Sequence, residues 1–254
     1  MKVKKILISQ PQPADIEKSP YSDIIKKHNV KIHFEKFIKV EGVSSKEFRR
    51  TKVSFSGHTA VILTSRQAVD HYFRMAKELR FDIPDSMKYF CISESTAFYL
   101  QKYIQYRKRK IFYGQQHFAE LMDLIKKHSG EKFIVPSSNI HKQSMFNMLD
   151  KAGINYNRAI LYRTVAADLS HLNINEFDLL VFFSPAGIKS LLENFPDFEQ
   201  GDKLIGAFGP TTAKAVKDAG FTLNLPAPTQ TAPSMTMAID QFLTKQAKEA
   251  RKRK

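Results

Sequence analysis

The chain has 254 residues, 43% apolar and 26% charged, with a formal net charge of +15. That is the composition of a soluble globular protein of one large domain or two ordinary ones. No apolar run approaches the roughly 20 residues of a membrane-spanning helix. The single cysteine, Cys91, excludes an intramolecular disulfide; set in an apolar run it is expected to be buried, as in a protein of the reducing cytoplasm.

The basic excess favours an acidic partner: nucleic acid, an anionic membrane or a polyanionic small molecule. Part of it sits in the tail KQAKEARKRK, with six basic groups and one acidic, which reads most simply as a solvated extension. A second cluster is Arg107–Lys110. The 20 Phe are dispersed through apolar runs at core spacing rather than gathered on a basic strand, so nucleic acid is the weaker reading.

In chain order, MKVKKILISQPQP holds too short an apolar run for a signal peptide and reads as a first strand, Lys5–Ser9. Tyr21, Ile24, Ile25 and His28 follow at helical spacing. Val30–Val40 alternates as a strand about twice the usual length. The run VILTSRQAV (61–69) carries an apolar strand into a Ser65 corner, then a helix striped by Ala68, Val69, Tyr72, Phe73, Ala76 and Leu79. YFCISESTAFYL (89–100) repeats that design with a helix over Ala97–Ile104. Strand Ile111–Tyr113 and a helix with Phe118, Leu121, Met122 and Ile125 close the series.

The same series then recurs. Strand Phe133–Pro136 precedes a stripe of Met145, Met148, Leu149 and Ala152, and Ile154–Val165 is the second long alternating strand. LLVFFSPAGIKSLL (179–192) gives a Ser184 corner and a stripe of Ile188, Leu191, Leu192 and Phe195. KLIGAFGPTTAKAV (203–216) gives a Gly-Pro-Thr-Thr corner and a helix over Ala213–Ala219, with Pro210 at its first position. Strand Thr222–Leu225 and a stripe of Met235, Ala238, Ile239 and Phe242 end the chain. Ser65 and Ser184 lie 119 residues apart, Thr96 and Thr212 lie 116 apart.

Strands alternating with helices predict an α/β fold: two flavodoxin-like parallel-sheet domains of about five strands each, arising by internal duplication. The long strands Val30–Val40 and Ile154–Val165 are simplest as crossings from one sheet to the other, a two-stranded linker. The domains are then 1–36 with 168–254, and 37–167. The residues alone are also compatible with sequential domains, 1–130 and 131–254.

Common catalytic motifs are missing. There is no G-x-G-x-x-G loop, no phosphate loop, no G-x-S-x-G elbow and no metal-ligand spacing among the eight His. What stands out is a set of hydroxyls at expected helix starts: Ser65, Ser93, Ser95, Thr96, Ser137, Ser138, Ser184, Thr211, Thr212, Thr229 and Thr231. Each alone reads as a helix cap. Together, on one end of their sheets in a basic protein, they suggest a cleft for a ligand with many carboxylates.

The motifs TSRQAV (64–69), LYRT (161–164), FFSPAG (182–187), IGAFGPTTAKA (205–215) and APTQTAPSM (227–235) resemble the uroporphyrinogen-III synthase family over nearly the whole chain. That resemblance implies a cofactor-independent lyase of heme biosynthesis. It would cyclise hydroxymethylbilane to uroporphyrinogen III with inversion of the last pyrrole ring, in a cleft between two interleaved domains. It implies Tyr162 as the candidate catalytic residue, although an alternating strand can equally bury a tyrosine as core. Substrate contacts are implied at Thr64, Ser65, Arg66, Ser93, Ser95, Thr96, Ser138, Ser184, Gly187, Gly209, Thr211 and Thr212. A linear tetrapyrrole polycarboxylate is the expected partner, with no metal, no nucleic acid and no membrane, for a cytoplasmic monomer. Two departures stand against the family pattern: Ser9-Gln10-Pro11 replaces Thr-Arg-Pro, and Glu94 sets a negative charge at one corner. The alternative is a noncatalytic two-lobed binder of an anionic metabolite.

Overall fold

The computed structural model describes residues 3–140 and 143–252, with side chains through 249 in the last helix. In chain order the elements are β1 (Lys5–Ile8), α1 (Pro20–His28), β2 (Lys31–Phe34), β3 (Ile38–Gly42), α2 (Ser45–Phe48), β4 (Ala60–Leu63), α3 (Arg66–Leu79), β5 (Lys88–Cys91) and α4 (Glu94–Tyr99). A 3-10 turn (Leu100–Lys102) leads to β6 (Ile111–Tyr113), α5 (Phe118–Lys127), β7 (Phe133–Ser138), α6 (Gln143–Lys151) and β8 (Tyr156–Ala166). After a second 3-10 turn (Ile174–Glu176) come β9 (Leu179–Phe182), α7 (Pro185–Asn194), β10 (Leu204–Phe208), α8 (Pro210–Asp218), β11 (Leu225–Ala227) and α9 (Met235–Lys252). The chain divides into two compact units, Met1–Lys39 with Val165–Lys254, and Val40–Thr164. Among the described residues no helix is long and apolar enough to cross a membrane.

The first unit holds a parallel sheet ordered β11-β10-β9-β1-β2. Strand alternation sends Ile6 and Ile8 to one face, where they pack with Ile24, Met235 and Ile239 of α1 and α9. It sends Leu7 to the other face, onto Ile188, Leu191 and Val216 of α7 and α8. The second unit's sheet runs β3-β8-β7-β4-β5-β6. Val61 and Leu63 face α3 and α4, while Ala60 and Ile62 face α5 and α6. Numbered within each repeat, both sheets follow the 2-1-3-4-5 order of a flavodoxin-like fold: β2-β1-β9-β10-β11 and β8-β7-β4-β5-β6, with β3 added at one edge of the second.

Several sequence expectations need correction. Val30–Val40 is not one strand: β2 stops at Phe34 and β3 begins at Ile38 in the other sheet. The break is set by Phe37, which is buried edge-on against Phe182. Ile154–Val165, expected to start in one sheet and continue as the connection to the other, forms β8 in the six-stranded sheet beside β3 and ends where the chain leaves that unit, at Thr164/Val165. The last strand is Leu225–Ala227 rather than Thr222–Leu225. Gln200 ties the Thr222 amide and carbonyl into a loop. On α6 the inward residues are Phe146 and Leu149, and Met148 is exposed; on α7 Leu192 likewise faces out. The helix expected over Ala97–Ile104 starts earlier and is α-helical only through Tyr99. Of the basic tail, Arg253 and Lys254 lie outside the described residues.

Candidate functional site

Because the paired strands are parallel, every strand-to-helix corner lies at the same edge of its sheet. In the flavodoxin-like order the chain reverses direction of winding between the first and third strands, and there the corners splay to leave a crevice. In the second unit that switch point lies between the carboxyl ends of β7 and β4. The two strands pair only at Ala60↔Phe133 and Val61↔Ile134. The reason is local. The Phe133 N–H faces β8, on Asn155 O, while the Lys132 carbonyl faces β4, on the Ala60 N–H. Alternation therefore puts Pro136 where a donor to β4 is needed, and proline has none.

Past that opening β7 continues against β8, with a register irregularity at Ser137/Ser138 that places Ser138 opposite Tyr162. Arg158 on β8 braces the irregularity, donating from Nε to Ser137 Oγ (3.1 Å) and from a terminal nitrogen to Ser138 O (3.1 Å). Bulges of this sort re-aim side chains beside functional sites. Tyr162 is 6% exposed and joins the core cluster under α3. Burial pushes its phenol up, and the Ser65 hydroxyl beside it pulls it partly back.

Ser65 is the N-cap of α3 and accepts from the Ala68 N–H at 3.1 Å. Thr64 is half-buried just before it. Arg66, exposed in the first turn, lies over the Tyr99 ring at 5.4 Å. Tyr99 donates to Asp70 at 2.9 Å, Tyr103 at 2.5 Å and Lys102 at 3.3 Å. Burial pushes the Asp70 carboxyl up, but these hydrogen bonds outweigh it and hold it below the usual carboxylate range.

One strand further out, Ser93 caps α4, and its hydroxyl lies 3.1 Å from those of Ser95 and Thr96. Thr96 is buried. Glu94 is exposed and accepts from the Tyr113 phenol at 3.2 Å.

In the first unit the equivalent switch point lies between β1 and β9. Here the ladder is complete through Ile8↔Val181, and the Ser9 N–H bonds Val181 O at 2.9 Å. Ser184 caps α7 through the Gly187 N–H. A Cβ at Gly187 would meet Phe182 at 3.3 Å and Ser9 Oγ at 3.6 Å, so glycine lets the helix start sit directly on the strand ends. Gly209, at φ 88°, opens α8 with no side-chain cap. Its first-turn N–H groups are therefore not covered by a side chain, a favourable place for an anion. Thr211 is exposed and Thr212 buried.

Of the hydroxyls expected to start helices, Ser65, Ser93 and Ser184 do cap them. Ser137 and Ser138 do not: they end β7, are buried, and the Ser138 hydroxyl is engaged with Asn139 and the Ile140 N–H. Thr229 and Thr231 lie in the loop before α9, where Ser234 makes the capping bond to the Met237 N–H. The structure thus gathers Ser65 and Tyr162 at one switch point with Ser138 on the strand between, and Ser184 with Gly187 at the other. Ser93–Thr96 and Gly209–Thr212 stand one strand away in their own sheets. His71, Arg74 and Arg158 were not singled out from sequence; His71 matches Ser190 across the 119-residue repeat, so duplication gave no signal for it.

Nothing among curated protein sequences matches the chain. Among solved structures it is similar to the uroporphyrinogen-III synthetase of Helicobacter pylori 26695, at 17% identity and TM-score 0.55, covering 95% of this chain and 99% of that one. It is also similar to a mutant uroporphyrinogen III synthase of the extremely thermophilic bacterium Thermus thermophilus, at 15% identity and TM-score 0.51, covering 96% and 99%. At these identities the two likenesses establish the fold. Residues 19–237 match the family described as uroporphyrinogen-III synthase HemD, and the chain belongs to that family.

Proposed function

We propose that the chain closes hydroxymethylbilane to uroporphyrinogen III and that the second unit's switch point carries the chemistry. The reaction is that of a lyase of tetrapyrrole and heme biosynthesis, and the match over residues 19–237 is the observation that carries it. The substrate is a linear tetrapyrrole with acetate and propionate arms. It loses its hydroxyl to give an azafulvene cation, and attack at a substituted carbon of the last ring gives a spiro intermediate. Reopening and closure invert that ring.

Raised by burial, the Tyr162 phenol is neutral at physiological pH and can give its proton to the departing hydroxyl, which leaves as water. The Ser65 hydroxyl beside it supports the phenolate so formed. The phenolate takes a proton back when the closing pyrrole carbon loses one, so protons balance over the cycle. Each unit offers groups suited to carboxylate arms: in the second, the helix-start amides at Ser65 and Ser93 with the half-buried Thr64 and the exposed Ser95 and Arg66; in the first, those at Ser184 and Gly209 with the exposed Thr211. Thr96, Thr212 and Ser138, being buried, act as supports for these corners. The reduced, buried Cys91 supports a cytoplasmic location, and we expect a monomer with no nucleic-acid partner.

Incubation with freshly generated hydroxymethylbilane, with product isomers resolved chromatographically, tests this reading. Isomer III is expected; isomer I alone, the spontaneous product, would show a binder rather than an enzyme.

A further inference from the structure

Behind Tyr162, on the α3 side, stands the His71 imidazole. The two rings stack with centroids 4.8 Å apart and planes 15° from parallel. His71 is itself held. Arg74 donates from Nε to His71 Nδ1 at 3.2 Å. A guanidinium has no acceptor, so Nδ1 must present its lone pair and the ring proton sits on Nε2. Arg74 is anchored in turn: one terminal nitrogen donates to Val43 O at 2.9 Å and to Leu161 O at 3.0 Å, and the other pairs with Glu78. Leu161 immediately precedes Tyr162. Gly42 makes room for this arrangement, because a Cβ there would come within 2.8 Å of the Arg74 guanidinium carbon.

Charge agrees with geometry. Burial and the Arg74 guanidinium lower the His71 imidazole, with Asp70 and Glu78 on the same helix opposing in part. A neutral imidazole therefore faces the phenol. Within the core cluster that holds Tyr162, the His71 imidazole is the flat surface its ring stacks on. The glycine-permitted arginine, the arginine-fixed imidazole and the stacked phenol form one chain of supports, ending beside Ser65.

We propose that His71 is a positioning residue for Tyr162: held by Arg74 as the Nε2-protonated tautomer, its imidazole stacks on the phenol and fixes where the hydroxyl points. This rests on Tyr162 acting in the reaction. Misplacing a reacting group by 1 Å can cost on the order of 100-fold, so partial loss of the support should cost about 10-fold.

The test is steady-state isomer III formation by His71→Ala and His71→Phe, each alone and combined with Tyr162→Phe, with melting curves for all. His71→Ala is expected to lower kcat about 10-fold with KM within about 2-fold, and His71→Phe, which keeps a flat ring, to restore most of it. In the Tyr162→Phe background the alanine change should cost nothing further in kcat. A 15N spectrum of the imidazole should show an unprotonated Nδ1 at neutral pH. Wild-type kcat in His71→Ala, or an equal loss in both backgrounds, would overturn the proposal while a loss in Tyr162→Phe leaves the role of Tyr162 standing. Wild-type turnover in Tyr162→Phe would overturn both.

Discussion

At the switch point of the first unit the β1–β9 ladder runs on to Ser9 and closes over small groups, Ser9, Ser184 and Gly187. At that of the second, the β7–β4 ladder ends at Ile134 because Pro136 cannot donate, and Tyr162 of β8 packs in the core under α3 with the Ser65 hydroxyl beside it. Strand length makes the same distinction: β2 ends after four residues, whereas β8 runs for 11 and carries its tyrosine past the bulge. Charge follows too. The second unit's helix starts bring Arg66 and Glu94, while the first turns of α7 and α8 contain Pro, Ala, Gly and Thr. The two corners of one repeated frame thus differ in what they offer chemically. Amides and hydroxyls in the first unit suit binding of carboxylates, and a supported phenol in the second suits proton transfer.

The largest effect expected is that of Tyr162→Phe. If its phenol protonates the leaving hydroxyl, kcat for isomer III should fall by about 10²–10⁴-fold. Melting should be nearly unchanged, since the ring and its stack remain. Wild-type turnover would place the two switch points on equal footing.

Next comes Gly209→Ala. With φ 88° and ψ 152° this position is in a region nearly closed to residues with a Cβ, although no atom lies within 4 Å of the added carbon. Strain alone should cost about 1–3 kcal/mol of stability, read as a lower urea midpoint. An unchanged midpoint would mean the α8 corner relaxes freely and is no fixed anion site.

Asp70→Asn should have a smaller effect, and one that depends on pH. The folded carboxyl is held below its usual value near 3.8, so its contribution is present above that pH and lost as pH falls through the lower folded value. Solvent reaches the group, which limits the loss at pH 7 to about 1 kcal/mol. Wild type and variant should converge once pH has fallen below the folded carboxyl's own lowered value. A gap that persists in acid would show that the Tyr99 and Tyr103 contacts to Asp70 depend on shape rather than on charge.

Much of the frame was legible in the chain. Stripes at helical spacing and alternating runs gave most elements, because each buries one face, and the recurring corners showed the duplication. Cys91 is buried as its apolar run suggests, its thiol pushed up to about 12 by desolvation. What escaped depended on contacts distant in sequence. The break at Phe37 is decided by Phe182, 145 positions away in the chain. Ser137 and Ser138 looked like helix caps because Ser-Ser after an apolar run does not tell whether the strand has ended; here β8 keeps it going. His71 sat on a helix stripe as an unremarked polar position, and only the fold brings it onto Tyr162. Pro136 was visible within its strand, but its consequence required knowing that its missing N–H faces β4.

The division of labour between the two units is tested most directly by steady-state kinetics on Tyr162→Phe beside Thr211→Ala. The account predicts that Tyr162→Phe lowers kcat and leaves KM nearly alone. Thr211→Ala, losing one ordinary hydrogen bond, should raise KM by about 2- to 13-fold and leave kcat within about 2-fold. A Thr211→Ala enzyme whose kcat falls as far as that of Tyr162→Phe would contradict it.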